Sequence, residues 1–121
     1  MSALTLAGIA VIGGFGALAR LLLDGSVSAR VGRGFPWGTL VVNLTGAFAL
    51  GVLAGAAVSG DALRLAGTGF LGAYTTFSTW MLETHRLAED GRGRPALLNV
   101  GVSLAAGLLC AWLGRELGMA L

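Results

Sequence analysis

The chain is short of charge: of its 121 residues only 12% are charged, lysine is missing altogether, and all eight basic residues are arginine. A soluble domain carries about 25% charged residues, and a chain this small cannot hide a 55% hydrophobic content inside a core of its own. The arginines are scattered rather than gathered into a block, which excludes the electrostatic footprint of a nucleic-acid binder. The single cysteine, Cys110, excludes a disulfide framework within the chain and reads as a small buried hydrophobe. Met1 and Ser2 put no positive charge ahead of the first apolar run, and no soluble chain follows it, so a cleaved signal is not expected. No nucleophile–base pair or cluster of metal-ligating side chains is visible, so an enzyme is not expected either.

What is present is apolar and uninterrupted. Charge-free runs cover 1–19, 34–60, 65–82 and 95–114. Each reaches or nearly reaches the ~20 residues, rising 1.5 Å apiece, that a ~30 Å hydrocarbon core requires. The expected fold is an all-α membrane protein with four transmembrane helices, at about 3–23, 37–58, 62–87 and 95–118, in a single domain. The first helix is expected to end at Asp24-Gly25-Ser26, followed by a Gly/Arg-rich loop over 28–36 and an interfacial anchor at Trp37. Pro95 opens the last helix, where its missing N–H is harmless. Arg30, Arg33, Arg86, Arg92 and Arg94 flank one side of the four spans and Arg64 and Arg115 the other, a bias of five against two that favours both termini outside the cytoplasm. No internal repeat is visible, unlike transporters built from two inverted halves.

The 21 glycines matter because small residues let membrane helices approach closely where the hydrophobic effect no longer drives association. In the second span Thr39, Asn43, Ala47, Gly51 and Gly55 recur every fourth residue and share one face. Asn43 on that face either bonds a neighbouring helix or belongs to a polar site, and spacing alone leaves both readings open. In the fourth span Asn99 and Ser103 are spaced to share a face as well.

The third span is the most informative. Its segment 67–80 reads GTGFLGAYTTFSTW, with Thr75, Thr76, Ser78 and Thr79 beside Tyr74, Phe77 and Trp80. Glycines and hydroxyls at membrane depth weaken a helix, and a broken backbone in lipid is tolerated only where protein or a water-filled cavity satisfies it. A break here therefore points inward and offers free carbonyls, hydroxyl donors and electropositive ring edges with no ionised side chain. Carbonyls suit a cation, hydroxyls and an amide suit an anion; the bland alternative is that the hydroxyls back-bond and the aromatics only pack.

Thr75-Thr76-Phe77-Ser78-Thr79-Trp80 resembles the TTFSTF signature of the Fluc/CrcB fluoride channels. Gly13-Gly14-Phe15-Gly16-Ala17-Leu18-Ala19-Arg20 is similar to that family's GGxxGAxxR opening, and Gly38-Thr39-Leu40-Val41-Val42-Asn43 to its GTLxVN segment. The three motifs stand in the family's order over the whole chain. The resemblance implies passive, fluoride-selective efflux across the plasma membrane, lowering cytoplasmic fluoride, through an antiparallel dual-topology homodimer with two pores. It places Asn43, Ser78, Thr79 and Thr39 along the fluoride path, with Phe77 as the first ring of an aromatic box and Ser103 as a further pore hydroxyl. Trp80 replaces the box's second phenylalanine. The backbone carbonyls of Gly72 and Thr75 are implied to hold a structural sodium ion. Arg20 corresponds to the arginine of a vestibule, where it attracts anions; pairing with Asp24, four residues on, is the alternative.

Two other readings compete. A proton-coupled small multidrug transporter also has four helices but needs a carboxylate within the membrane, and no acid precedes Asp24 in the first span or lies deep in any other. A purely structural membrane subunit is opposed only by the polar break. The arginine bias also sits awkwardly with insertion in both orientations, so a heterodimer with an oppositely biased relative stands beside the homodimer.

Overall fold

A computed structural model describes residues 1–121, and every regular element in it is helical. Helix α1 (Ala3–Val31) starts where the Ser2 hydroxyl accepts the Thr5 N–H at 3.1 Å, satisfying a donor that a helix start leaves open. Expected to stop near Leu23, α1 instead runs through Asp24-Gly25-Ser26. Asp24 turns its carboxylate back onto the helix, accepting the Ser28 hydroxyl one turn on at 3.3 Å, and packs closely against Gly38, so it does not compete for the backbone. The helix ends at Gly32, whose φ of 91° is open to glycine at little cost. The first loop is thus 32–36, shorter than expected.

Helix α2 (Trp37–Gly55) ends three residues before the expected 58. Ala57 there adopts φ 57°, the Val58 N–H reaches the Leu53 carbonyl at 3.0 Å and the Ala57 N–H reaches Ala54 at 3.1 Å. This is a Schellman ending, which usually places glycine at the left-handed seat.

The region expected as one broken helix over 62–87 comprises α3 (Gly60–Leu63), a π-helical segment (Arg64–Leu71), α4 (Gly72–Tyr74), a non-helical gap at 75–77 and α5 (Ser78–Glu89). The π-helical stretch is a feature that the sequence reading did not anticipate. Helix α6 (Gly93–Ala120) extends two residues beyond the expected span at each end, with Pro95 in its first turn.

Glycines set the packing. On α2, a side chain at Gly51 or Gly55 would run into the α6 backbone at Ala111 or Arg115; on α6, one at Gly114 or Gly118 would run into α2 at Phe48 or Val52. The two helices therefore meet backbone to backbone along a reciprocal seam. Helix α1 lies on the π-helical segment in the same way, with Gly16 against Phe70 and Gly69 against Ile9.

Only 17 of the 121 residues are buried, while Leu4, Leu97 and Leu108 point outward. A soluble chain of this length hides far more of its surface. Helices α1, α2 and α6 are each long and apolar enough to cross a membrane, so the chain is a multi-pass membrane protein.

Candidate functional site

The site is built around the gap between α4 and α5. Thr75 leaves the helix in extended conformation, φ −79° and ψ 158°, and this frees backbone groups that the helix would otherwise pair. Asn43, reaching across from α2, takes up two of them at once: its Oδ1 accepts the Thr76 N–H and its Nδ2 donates to the Thr76 carbonyl, both at 2.8 Å. One side-chain amide thus replaces a peptide partner and brackets the break. Each bond of this kind contributes about 1 kcal/mol, and leaving a buried partner unmet costs about 1–3 kcal/mol.

The threonines secure the two ends. Thr75 donates its hydroxyl to the Leu71 carbonyl at 3.0 Å, closing α4. The Thr76 hydroxyl accepts the Thr79 N–H at 3.2 Å and caps the start of α5. Tyr74 and Thr45 share a hydroxyl–hydroxyl bond of 2.8 Å that ties α4 to α2. Arg20 donates from Nε to the Ala73 carbonyl at 3.3 Å; the pairing with Asp24 is not formed, since Asp24 takes Ser28 instead.

Beside the break lies an open groove of about 440 Å³ between α2, the broken region and α6. It gathers Asn43, Gly72, Thr75, Phe77, Trp80 and Ser103, six of the residues singled out from sequence. Phe77 and Trp80 meet edge to face, with ring centroids 5.7 Å apart and an interplanar angle of 83°. Phe77 is 70% exposed, so its ring is largely open on the side away from Trp80. Ser103 brings a hydroxyl with no partner in the chain.

The other sequence candidates stand outside this groove. Thr39, one turn before Asn43 on α2, is buried with its hydroxyl unpartnered. Ser78 is exposed at the first turn of α5 and Thr79 is half-buried beside it. Further along α5, the chain's single histidine, His85, is no candidate: it is exposed and pairs with Glu89.

Asn43, expected as a donor along the path, has one of its two N–H groups occupied by the Thr76 carbonyl, which leaves the other. Thr76 and Thr84 were not assigned roles. Thr76 was visible within its hydroxyl-rich run, whereas nothing in the run marks Thr84, which receives a bond from Asn99 at 2.8 Å.

Chemically the groove offers neutral donors, ring edges and backbone carbonyls, and no ionised side chain lines it. Such a lining can replace water around a small ion without trapping it as a buried opposite charge would.

Residues 7–115 match the family model described as CrcB-like protein, Camphor Resistance. The chain is 57% identical over 117 residues to the fluoride-specific ion channel FluC 2 of Mycobacterium tuberculosis strain H37Rv, covering 94% of this chain and 93% of that one. It is 50% identical over 115 residues to the fluoride-specific ion channel FluC of Geobacter sulfurreducens, covering 91% and 93%. It is 47% identical over 116 residues to FluC 1 of Symbiobacterium thermophilum, covering 91% and 94%.

Proposed function

The chain belongs to the CrcB family, and from that premise we propose that it is a fluoride-selective channel conducting passively out of the cell through the plasma membrane. The observation that carries the reading is the bracketed break: Asn43 holds Thr76 open beside the Phe77–Trp80 pair in a groove without ionised groups. Fluoride is small and strongly hydrated, so a pore must set donors closely enough to replace its water and exclude larger halides. Within the groove the donors are the free N–H of Asn43 and the hydroxyl of Ser103, with the positive edge of the exposed Phe77 ring beside them, and the hydroxyls of Ser78, Thr79 and Thr39 extend the path beyond it. Arg20, held by the Ala73 carbonyl near the break, raises the local anion concentration at the pore mouth.

A fourth crossing is formed by the discontinuous region 60–89, whose backbone is satisfied by protein rather than by an unbroken helix. An open groove of about 440 Å³ is too wide to strip a fluoride ion by itself. A second copy, inserted in the opposite orientation, narrows it and completes two pores in a dual-topology homodimer. The five-to-two arginine count supports the alternative, a heterodimer with an oppositely biased relative.

Gly72 and Thr75 line the groove at the break, and their backbone carbonyls are neutral, hard oxygens of the kind that suits a structural sodium ion. Those two carbonyls would hold the ion, which would supply a fixed positive charge at the break.

Liposomes loaded with fluoride and containing only the purified protein test this reading, with an ionophore carrying the counter-cation and chloride as control. Rapid fluoride efflux without chloride efflux is expected. No efflux, either alone or with a related subunit present, contradicts the channel reading.

A further inference from the structure

Trp80 is the residue at which the chain departs from the family signature, and an indole brings an N–H donor into an aromatic wall. That donor does not face the groove. It donates to the backbone carbonyl of Asn99 on α6 at 2.9 Å. The side chain of the same Asn99 returns to α5: its Nδ2 donates to the Thr84 hydroxyl at 2.8 Å and more weakly to the Trp80 carbonyl at 3.4 Å. Thr84 in turn donates to the Trp80 carbonyl at 2.8 Å. Asn99 is 1% exposed, one of the two most completely enclosed large side chains in the chain. A single residue of α6 therefore holds Trp80 at both its ring and its backbone.

We propose that Asn99 is a positioning residue for the aromatic wall, taking the Trp80 indole N–H onto its own carbonyl so that ring surface, and not a hydrogen-bond donor, faces the groove. This rests on the fluoride-channel reading. The consequence for conduction is chemical. A free indole N–H at the wall would bond a fluoride ion directly and hold it, whereas an occupied one leaves only the weaker attraction of ring edges. The tether also sets the edge-to-face geometry between Trp80 and Phe77, whose ring has no comparable anchor. Because α6 otherwise meets α2 through bare backbone, the Asn99 node is the polar link by which α6 reaches α5.

The test uses full-length ¹⁵N-labelled protein in detergent, with Trp37→Phe and Trp112→Phe leaving Trp80 as the sole indole. Its N–H signal is expected to exchange with D₂O at least tenfold more slowly than an exposed indole and to stay fixed as fluoride is added. Fast exchange, or a shift with fluoride that chloride does not produce, overturns the proposal. Asn99→Ala keeps the accepting backbone carbonyl but removes the Nδ2 bonds to Thr84 and Trp80 that hold it against α5; with that grip lost, the indole is expected to exchange at least tenfold faster and fluoride efflux to fall about tenfold. In a Trp80→Phe background the same substitution is expected to lower efflux less than twofold further. An equal tenfold loss in both backgrounds shows that Asn99 only packs, and also overturns it. If the parent protein carries no fluoride at all, the channel reading fails while the exchange measurement still decides whether the tether exists.

Discussion

The α2–α6 pair and the broken region 60–89 solve the same problem by opposite means. Between α2 and α6 the contact is shape alone: glycines on each helix face the other's carbonyls, and no side chain could be added. Across the break the contact is chemistry: Asn43 brackets Thr76, Thr75 and Thr76 cap the two ends, and Trp80 bonds Asn99. In lipid an unbroken helix needs no partner for its backbone and can be fixed by fit, but an interrupted one must be given partners. The regular pair is the frame, and the interruption is where polar groups become available to an ion.

That contrast breaks most severely at the seam. Replacing Gly114 by Val pushes a branched side chain into the Phe48 backbone, which has no room to move. Overpacking of this kind costs about 3 kcal/mol or more. Gly114→Val is expected to leave no monodisperse folded species on size exclusion, whereas Gly101→Val, at a glycine facing open space, is expected to fold. Normal folding of the first would show that α2 and α6 are not locked by glycine.

Asn43→Ala attacks the other region. It strands the Thr76 N–H and carbonyl, at a cost of about 2–4 kcal/mol, and should lower the unfolding temperature and abolish fluoride efflux together. Asn43→Asp can still accept from the Thr76 N–H but cannot donate to its carbonyl, so its stability should fall between the two. A thermal melt separates the three proteins.

These two regions were unequally legible in the sequence. The unbroken helices were readable because a long run without charge has one physical meaning in so short a chain. Their ends were less so: Asp24-Gly25-Ser26 reads locally as a stop, yet Asp24 accepts the Ser28 hydroxyl one turn on and packs closely against Gly38 of α2, and α1 runs on to Val31. At the end of α2, Ala57 sits in a conformation that glycine signals and alanine does not. The break itself was marked by its hydroxyls and glycines, but what holds it was not. Asn43 and Thr76 lie 33 residues apart and Trp80 and Asn99 lie 19 apart, and no local pattern reports such a pairing.

Two smaller effects sharpen the comparison. Arg20→Gln should slow fluoride efflux about threefold at low ionic strength, with the difference shrinking as salt screens the charge. Flux measured over a salt series checks this; a salt-independent defect would point to the lost bond with Ala73 instead. Ala57→Gly should raise stability by about 1 kcal/mol by relieving the left-handed alanine, with flux unchanged. The Schellman ending of α5 already has Gly91 in that seat, so Gly91→Ala should cost a similar amount. Chemical denaturation in detergent reads both.

Phe77 offers the most direct trial of the claim that the break and its aromatic wall are where the ion passes, because its ring is exposed and contributes little to the fold. Fluoride efflux from liposomes should be compared between the parent protein and Phe77→Ala at matched protein content and equal thermal stability. A loss of at least tenfold with the protein still folded is the predicted result. Efflux at the parent rate would place the ion path elsewhere in the molecule and contradict the account.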